Sequence, residues 1–216
     1  MQNRKKPLPD HTPIDYWECY AKVVLEHVLS KSYKNLQLRD KPDLQFPDGS
    51  TGIEVTQAID PDQLNAEKLY SNIEYNLIRN EKRAKEEIKK CGCEFVNGLL
   101  KGKPGTDSFD IILNALKRKL NTINKGGYIL FNEYDLFLFS DIYSNDEMRQ
   151  NALKTMVELS KGYKITFKQI MVLVPGALYI FDLELYECEV VLVSNKMQYQ
   201  LACLARNIIE GSIERK

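Results

Sequence analysis

The segment that most narrows the folds open to this chain is Lys41-Pro42-Asp43-Leu44-Gln45-Phe46, the turn Pro47-Asp48-Gly49-Ser50, and then Gly52-Ile53-Glu54-Val55-Thr56-Gln57. Two strand-like runs flank Asp-Gly, the strongest short-range hairpin signal. A two-residue turn at Asp48-Gly49, or a four-residue loop over the same centre, sets Leu44 opposite Ile53 and Asp43 opposite Glu54. A bulged three-residue loop displaces the pairing by one. Side chains alternate along a strand, so Glu54, Thr56 and Ala58 share one face, and Ile53, Val55 and Ile59 the other. The second face is apolar and suits a core. The first brings two carboxylates to a Cβ separation of about 4.5–5.5 Å. Like charges so placed repel, and either a proton on one carboxyl or a cation between them relieves the repulsion. A hard divalent ion with oxygen ligands fits the second case. The alternative is an exposed hairpin whose acids point into water.

Around this hairpin the pattern is that of an α/β protein. Ile14, Trp17, Ala21, Val24, Leu25 and Val28 recur at helical spacing behind Asp15, which favours a helix start. Leu36 to Arg39 reads as a short strand. Asp60-Pro61 ends the second hairpin strand, and a charge-laced helix is expected from about Gln63 to Lys90, followed by a Gly-rich loop. Phe109 to Ile123 is amphipathic, and Tyr134 to Ser140 is near-continuously apolar, as a strand covered on both faces requires. Helix (Asp146 to Lys161), strand (Gln169 to Val174), strand-like sequence (Leu178 to Val193) and a closing helix (Met197 to Ile213) complete the chain. This alternation predicts a mixed central sheet flanked by helices, built as one domain over residues 14–216 behind a flexible tail at 1–13.

Charge and cysteine content limit the function classes. Thirty basic and thirty acidic side chains argue against a protein that coats nucleic acid through a large positive field. The neutral total sums unlike regions, however. Arg79 to Lys90 carries six bases against three acids and Lys101 to Lys125 six against two, whereas Asp40 to Asp62 carries six acids against one base. Any polyanion binding is expected to be local. No apolar run approaches the ~20 residues that span a bilayer. With a polar N-terminal stretch and five scattered cysteines, the expected location is cytoplasmic, with no membrane association.

Two further side chains bear on the hairpin acids. Glu18 lies at the edge of the apolar stripe of the first helix, beside Leu25 and Leu29, while Glu26 points away. Lys119 falls inside the stripe formed by Ile111, Ile112, Ala115, Leu116 and Ile123, while Lys117 points outward. A lysine so placed must snorkel, pair with an acid or serve a site.

Pro42-Asp43, followed after the hairpin by Glu54-Val55-Thr56, resembles the signature of the PD-(D/E)xK nuclease superfamily. The resemblance covers roughly Asp15 to Tyr143. It implies a restriction-endonuclease-like αβββαβ core with C-terminal additions, metal-dependent phosphodiester hydrolysis, and a Mg²⁺ (or Mn²⁺) ion held by Asp43, Glu54 and the Val55 carbonyl. Glu18 would complete the shell or act through water. The implied partner is nucleic acid, with DNA expected before RNA, acting as a homodimer or with a partner protein. The superfamily's lysine normally lies two residues after the Glu, where this chain has Thr56. Some members supply it from a neighbouring helix, and Lys119 is the residue here that fits. If it does not reach the site, the resemblance implies instead a noncatalytic nucleic-acid-binding or protein-interaction module.

Other signals carry less. Gly98 to Lys103 is one residue short of a phosphate loop, and Pro104 stands where a Mg²⁺-binding hydroxyl belongs. Cys91-Gly-Cys93 lacks partners for a zinc site. His11 and His27 are too isolated to suggest a triad. Glu133, Asp135, Asp141, Asp146 and Glu147 read as a solvated acidic rim, and Tyr70 and Tyr75 as packing residues.

Overall fold

The first helix starts where its cap says it should: the Asp15 carboxylate accepts from the N–H groups of Trp17 and Glu18 and opens α1 (Tyr16–Val28). The structure is a computed structural model and describes residues 7–9, 12–103 and 108–213. The expected tail at 1–13, His11 and Pro104 therefore lie largely or wholly outside the described residues.

After α1 come β1 (Gln37–Leu38), β2 (Leu44–Gln45) and β3 (Thr51–Gln57). Leu44 pairs with Ile53 and Gln45 with Gly52, the register expected for a loop centred on Asp48-Gly49. The loop has four residues, closed by Phe46 N–H to Thr51 O at 3.0 Å, and Gly49 supplies its positive φ of 74°. Gly52 meets a different demand. A Cβ there would lie 2.4 Å from Pro42 Cγ and 3.0 Å from Phe131 Cδ2, so only glycine lets the proline lie across β3.

Between β3 and the next helix of the sheet domain, the chain builds α2 (Pro61–Glu74), α3 (Glu81–Lys90), β4 (Glu94–Val96) and β5 (Leu99–Lys101). The single helix expected from Gln63 to Lys90 is broken. Asn76 takes a positive φ of 56°, and the Asn80 side chain caps a new helix by accepting from Arg83 N–H. Ala66, Ile88, Cys91 and Cys93 form a small core of their own. Residues 59–103, with 7–9, are thus a compact unit distinct from 12–58 and 108–213, where the sequence suggested one uninterrupted domain. The Gly-rich loop is the β4–β5 hairpin, and Lys103 bonds Asp60 and Asp62. Tyr70 packs on Phe95 at 5.7 Å between ring centroids.

The second unit continues with α4 (Asp110–Ile123), β6 (Glu133–Phe139), α5 (Asp146–Ser160), β7 (Gln169–Val174), β8 (Ala177–Asp182), β9 (Glu187–Leu192) and α6 (Asn195–Ile213). Its seven-stranded sheet has the order β1-β2-β3-β6-β7-β8-β9. β3, β6 and β7 are mutually parallel, and the other pairings are antiparallel. The expected αβββαβ order is present, with the smaller unit inserted before α4.

Helices cover both faces. Leu136, Leu138, Ile170 and Val172 meet Ile112, Leu116 and Leu120 of α4 and Leu153 and Met156 of α5. On the opposite face Trp17 and Tyr20 of α1 pack on Phe139 at 4.8 and 5.2 Å, and α6 is tied to α1 by Tyr20 Oη donating to Gln198 O at 3.2 Å. One expectation fails here. Asp135 is 4 % exposed rather than part of a solvated rim, because β6 is central and its odd residues face α1. Its carboxylate accepts from Tyr33 Oη at 2.9 Å and Gln169 N–H at 3.0 Å, which satisfies both oxygens. No helix among the described residues is long and apolar enough to cross a membrane.

Candidate functional site

β3 runs between β2 and β6, and Glu54 lies opposite Leu136 in the parallel pairing, on the face that α4 covers. Glu54 is consequently 2 % exposed, which overturns the reading in which the hairpin acids point into water. Lys119 reaches it from α4: Nζ lies 2.7 Å from Glu54 Oε2 and 3.8 Å from Asp43 Oδ2. Lys117 is exposed, as its helical position implied. The facing carboxylates are therefore held by an ammonium bridging them. The other Glu54 oxygen, Oε1, is buried with no partner at hydrogen-bond distance among the described residues, the Tyr128 phenol lying beside the carboxylate. Such an atom costs about 1–3 kcal/mol unless a ligand or ion meets it.

Pro42 decides the geometry around Asp43. Continuing the β2–β3 register places Pro42 opposite Val55, and proline has no N–H to donate. The Val55 N–H, which a continued ladder would direct at the Pro42 carbonyl, is met by Asp43 Oδ2, accepting at 2.7 Å, while the Pro42 carbonyl accepts from Gln45 Nε2 at 2.9 Å. The N–H and C=O of one strand residue point the same way, so the Val55 carbonyl faces the same side and receives no N–H from Pro42. Two carboxylates, bridged by Lys119, and one backbone carbonyl that strand alternation turns toward the β2 side thus lie where the β2 ladder stops. All are hard oxygen donors, and the orphaned Oε1 is among them, so the residues present fit a Mg²⁺ or Mn²⁺ ion.

Glu18 does not join them as a third direct ligand. Among the described residues, no three His, Cys, Asp or Glu side chains are grouped to hold a metal ion. Glu18 is nevertheless coupled to the site. Burial first, then the charges of Asp43 and Asp15, push its carboxyl up to about 7, with Lys119 opposing. Burial and the Glu54 charge push Asp43 up to about 6, opposed by the Val55 N–H and Lys119. Tyr128, in the segment between α4 and β6, was not singled out in the sequence. Burial and the Glu54 carboxylate push its phenol pKa up, which places it beside the site. Its only sequence cue is Gly126-Gly127, both with positive φ, just before it.

Thr56 accepts from Arg118 Nη2 at 3.3 Å. Of the sequence-derived set, Asp43, Glu54, Val55 and Lys119 are brought together, and Glu18 lies at their margin. No family model, curated protein or solved structure matches this chain.

The raised carboxyls fix the sign of a pH dependence. Asp43 titrates at about 6, Asp135 at about 6 (burial dominating) and Glu18 at about 7 in the folded chain, all above their unfolded values. The folded state therefore binds more protons between about pH 4 and 7, and these groups make stability fall as pH rises through that window. Urea unfolding without divalent ions is expected to give a higher midpoint at pH 5 than at pH 8. Asp43→Asn should flatten the difference, and an Asp43→Asn profile as steep as wild type would remove Asp43 as a contributor.

Proposed function

We propose that the chain is a Mg²⁺- or Mn²⁺-dependent nuclease of the PD-(D/E)xK type, acting on DNA or RNA. The observation that carries the reading is the buried Asp43–Glu54–Lys119 constellation, with Glu54 Oε1 left without a partner at hydrogen-bond distance among the described residues. Asp43, Glu54 and the Val55 carbonyl would hold the ion, which when bound supplies charge neutralisation at the scissile phosphate and a water of lowered pKa. Lys119, beside both carboxylates, would orient the attacking water and offset part of the charge on the pentacovalent phosphate. Water adds to phosphorus, the P–O bond to the leaving group breaks, the leaving oxygen takes up a proton, and the proton lost by the water passes to solvent.

One observation favours a second reading. Lys119 Nζ lies within 4 Å of both carboxylates, so the ammonium already offsets one of the two negative charges that a divalent ion would bind. A noncatalytic nucleic-acid-binding module would keep such a salt bridge purely for the fold.

Incubation with duplex DNA, single-stranded DNA and RNA separates the two. The nuclease reading expects cleavage of at least one polymer in Mg²⁺ or Mn²⁺, stopped by EDTA. Folded protein that cleaves none of them in either ion, yet binds in a salt-dependent way, selects the binding module.

A further inference from the structure

We infer that Arg118 is the phosphate-binding side chain of this site, gripping the substrate backbone beside the carboxylate pair; this rests on the nuclease reading. Lys119 and Arg118 are consecutive on α4, and each is held at a different residue of the same β3 face. Lys119 goes to Glu54, and Arg118 Nη2 to Thr56 Oγ1 at 3.3 Å. Thr56 is two residues beyond Glu54, so its side chain emerges on the same side of the strand. The guanidinium thus lies beside Thr56, the residue that stands where the resemblance would place a lysine.

The two cations differ in what is left to them. The Lys119 charge is committed to two carboxylates, at 2.7 and 3.8 Å. Arg118 is exposed and forms no ion pair among the described residues; its guanidinium donates to a neutral hydroxyl. That bond occupies one N–H of five and leaves the rest of the planar fork for an anion.

Charge counting indicates which anion. Asp43 and Glu54 against Lys119 leave one net negative charge, which a divalent ion turns to one positive. A phosphodiester passing to its doubly charged transition state returns the balance to one negative. A guanidinium within reach of Thr56 cancels it, and it matches a phosphate's two non-bridging oxygens bidentately. Thr56 then has a reason to stand where a lysine is missing: its hydroxyl positions the arginine that takes over the phosphate.

The test uses the full-length chain and a fluorescein-labelled duplex oligodeoxynucleotide, with Ca²⁺ replacing Mg²⁺ so that the probe stays intact. Affinity is read by anisotropy over a salt series, and cleavage is assayed separately in Mg²⁺. Arg118→Ala is expected to weaken binding about tenfold and to reduce the slope of log affinity against log salt by about one. Arg118→Lys should restore the slope but only part of the affinity. Thr56→Val should weaken binding with the slope unchanged. Arg118 is exposed, so its two variants should keep the wild-type melting temperature. If wild type cleaves and Arg118→Ala keeps the wild-type slope and affinity, the inference falls while the nuclease reading stands. If wild type binds but never cleaves, the nuclease reading falls and the Arg118 slope still decides the inference. Wild type that neither binds nor cleaves the duplex, nor a labelled single strand of DNA or RNA put through the same assays, overturns both.

Discussion

Under the proposed nuclease function, Glu54→Gln is expected to abolish metal-dependent cleavage, with a loss of about 10³-fold or more. The estimate follows from the several kcal/mol of charge stabilisation that a bound divalent ion contributes, each 1.36 kcal/mol being a factor of ten in rate. Glutamine preserves the size of the side chain and one carbonyl oxygen. It replaces an anion by a neutral group and puts N–H donors where an ion would need acceptors. Asp43 stays within 3.8 Å of Lys119, so one member of the pair still neutralises the ammonium and the fold should persist. The measurements are cleavage time courses in Mg²⁺ and calorimetric titration with Mn²⁺. Both should be lost in Glu54→Gln, while circular dichroism remains that of wild type. A variant that cleaves at the wild-type rate would mean that the buried pair serves the fold alone.

The hairpin explains why so much of this site was legible in the sequence. An Asp-Gly turn fixes register, register fixes which residues face each other, and Asp43 and Glu54 follow without any knowledge of the rest of the chain. Lys119 was legible because a cation inside an apolar helical stripe contradicts its surroundings and demands a partner. What stayed hidden depended on tertiary context. That both sheet faces are covered, leaving Glu54 2 % exposed, comes from α4 crossing a strand far away in sequence. Asp135 looked like a rim acid because alternation along β6 is invisible when both faces are apolar. The break between α2 and α3 hinged on one left-handed asparagine, Asn76, and on the Asn80 cap, within a stretch whose charge pattern is helical throughout. Tyr128 lies outside any regular element, so no periodicity pointed to it.

Lys119→Met should cost about 3–5 kcal/mol of stability, the range for breaking a buried ion pair from one side. Methionine fills much of the lysine stem's volume, so the loss comes from charge rather than from a cavity. Glu54 would keep a buried carboxylate with Oε1 already unpartnered, and Oε2 would lose its bond to Lys119. Asp43 and Glu54 would again face each other uncompensated. The double variant Lys119→Met/Glu54→Gln should recover most of the loss, because a neutral amide costs far less to bury than an anion. Urea unfolding of the four proteins gives the coupling energy directly. Mn²⁺ adds a readout specific to the proposed site. An ion that binds only the folded state stabilises it by RT ln(1 + [L]/Kd), and without the ammonium the two carboxylates form a more negative cage. Lys119→Met should therefore gain more thermal stability from Mn²⁺ than wild type does, while Lys119→Met/Glu54→Gln should gain little. Equal responses in all four proteins would show that the ion does not bind between Asp43 and Glu54. A larger response in Lys119→Met, together with lost cleavage, would mean that the ammonium competes with the ion in the resting protein and is required once substrate is bound.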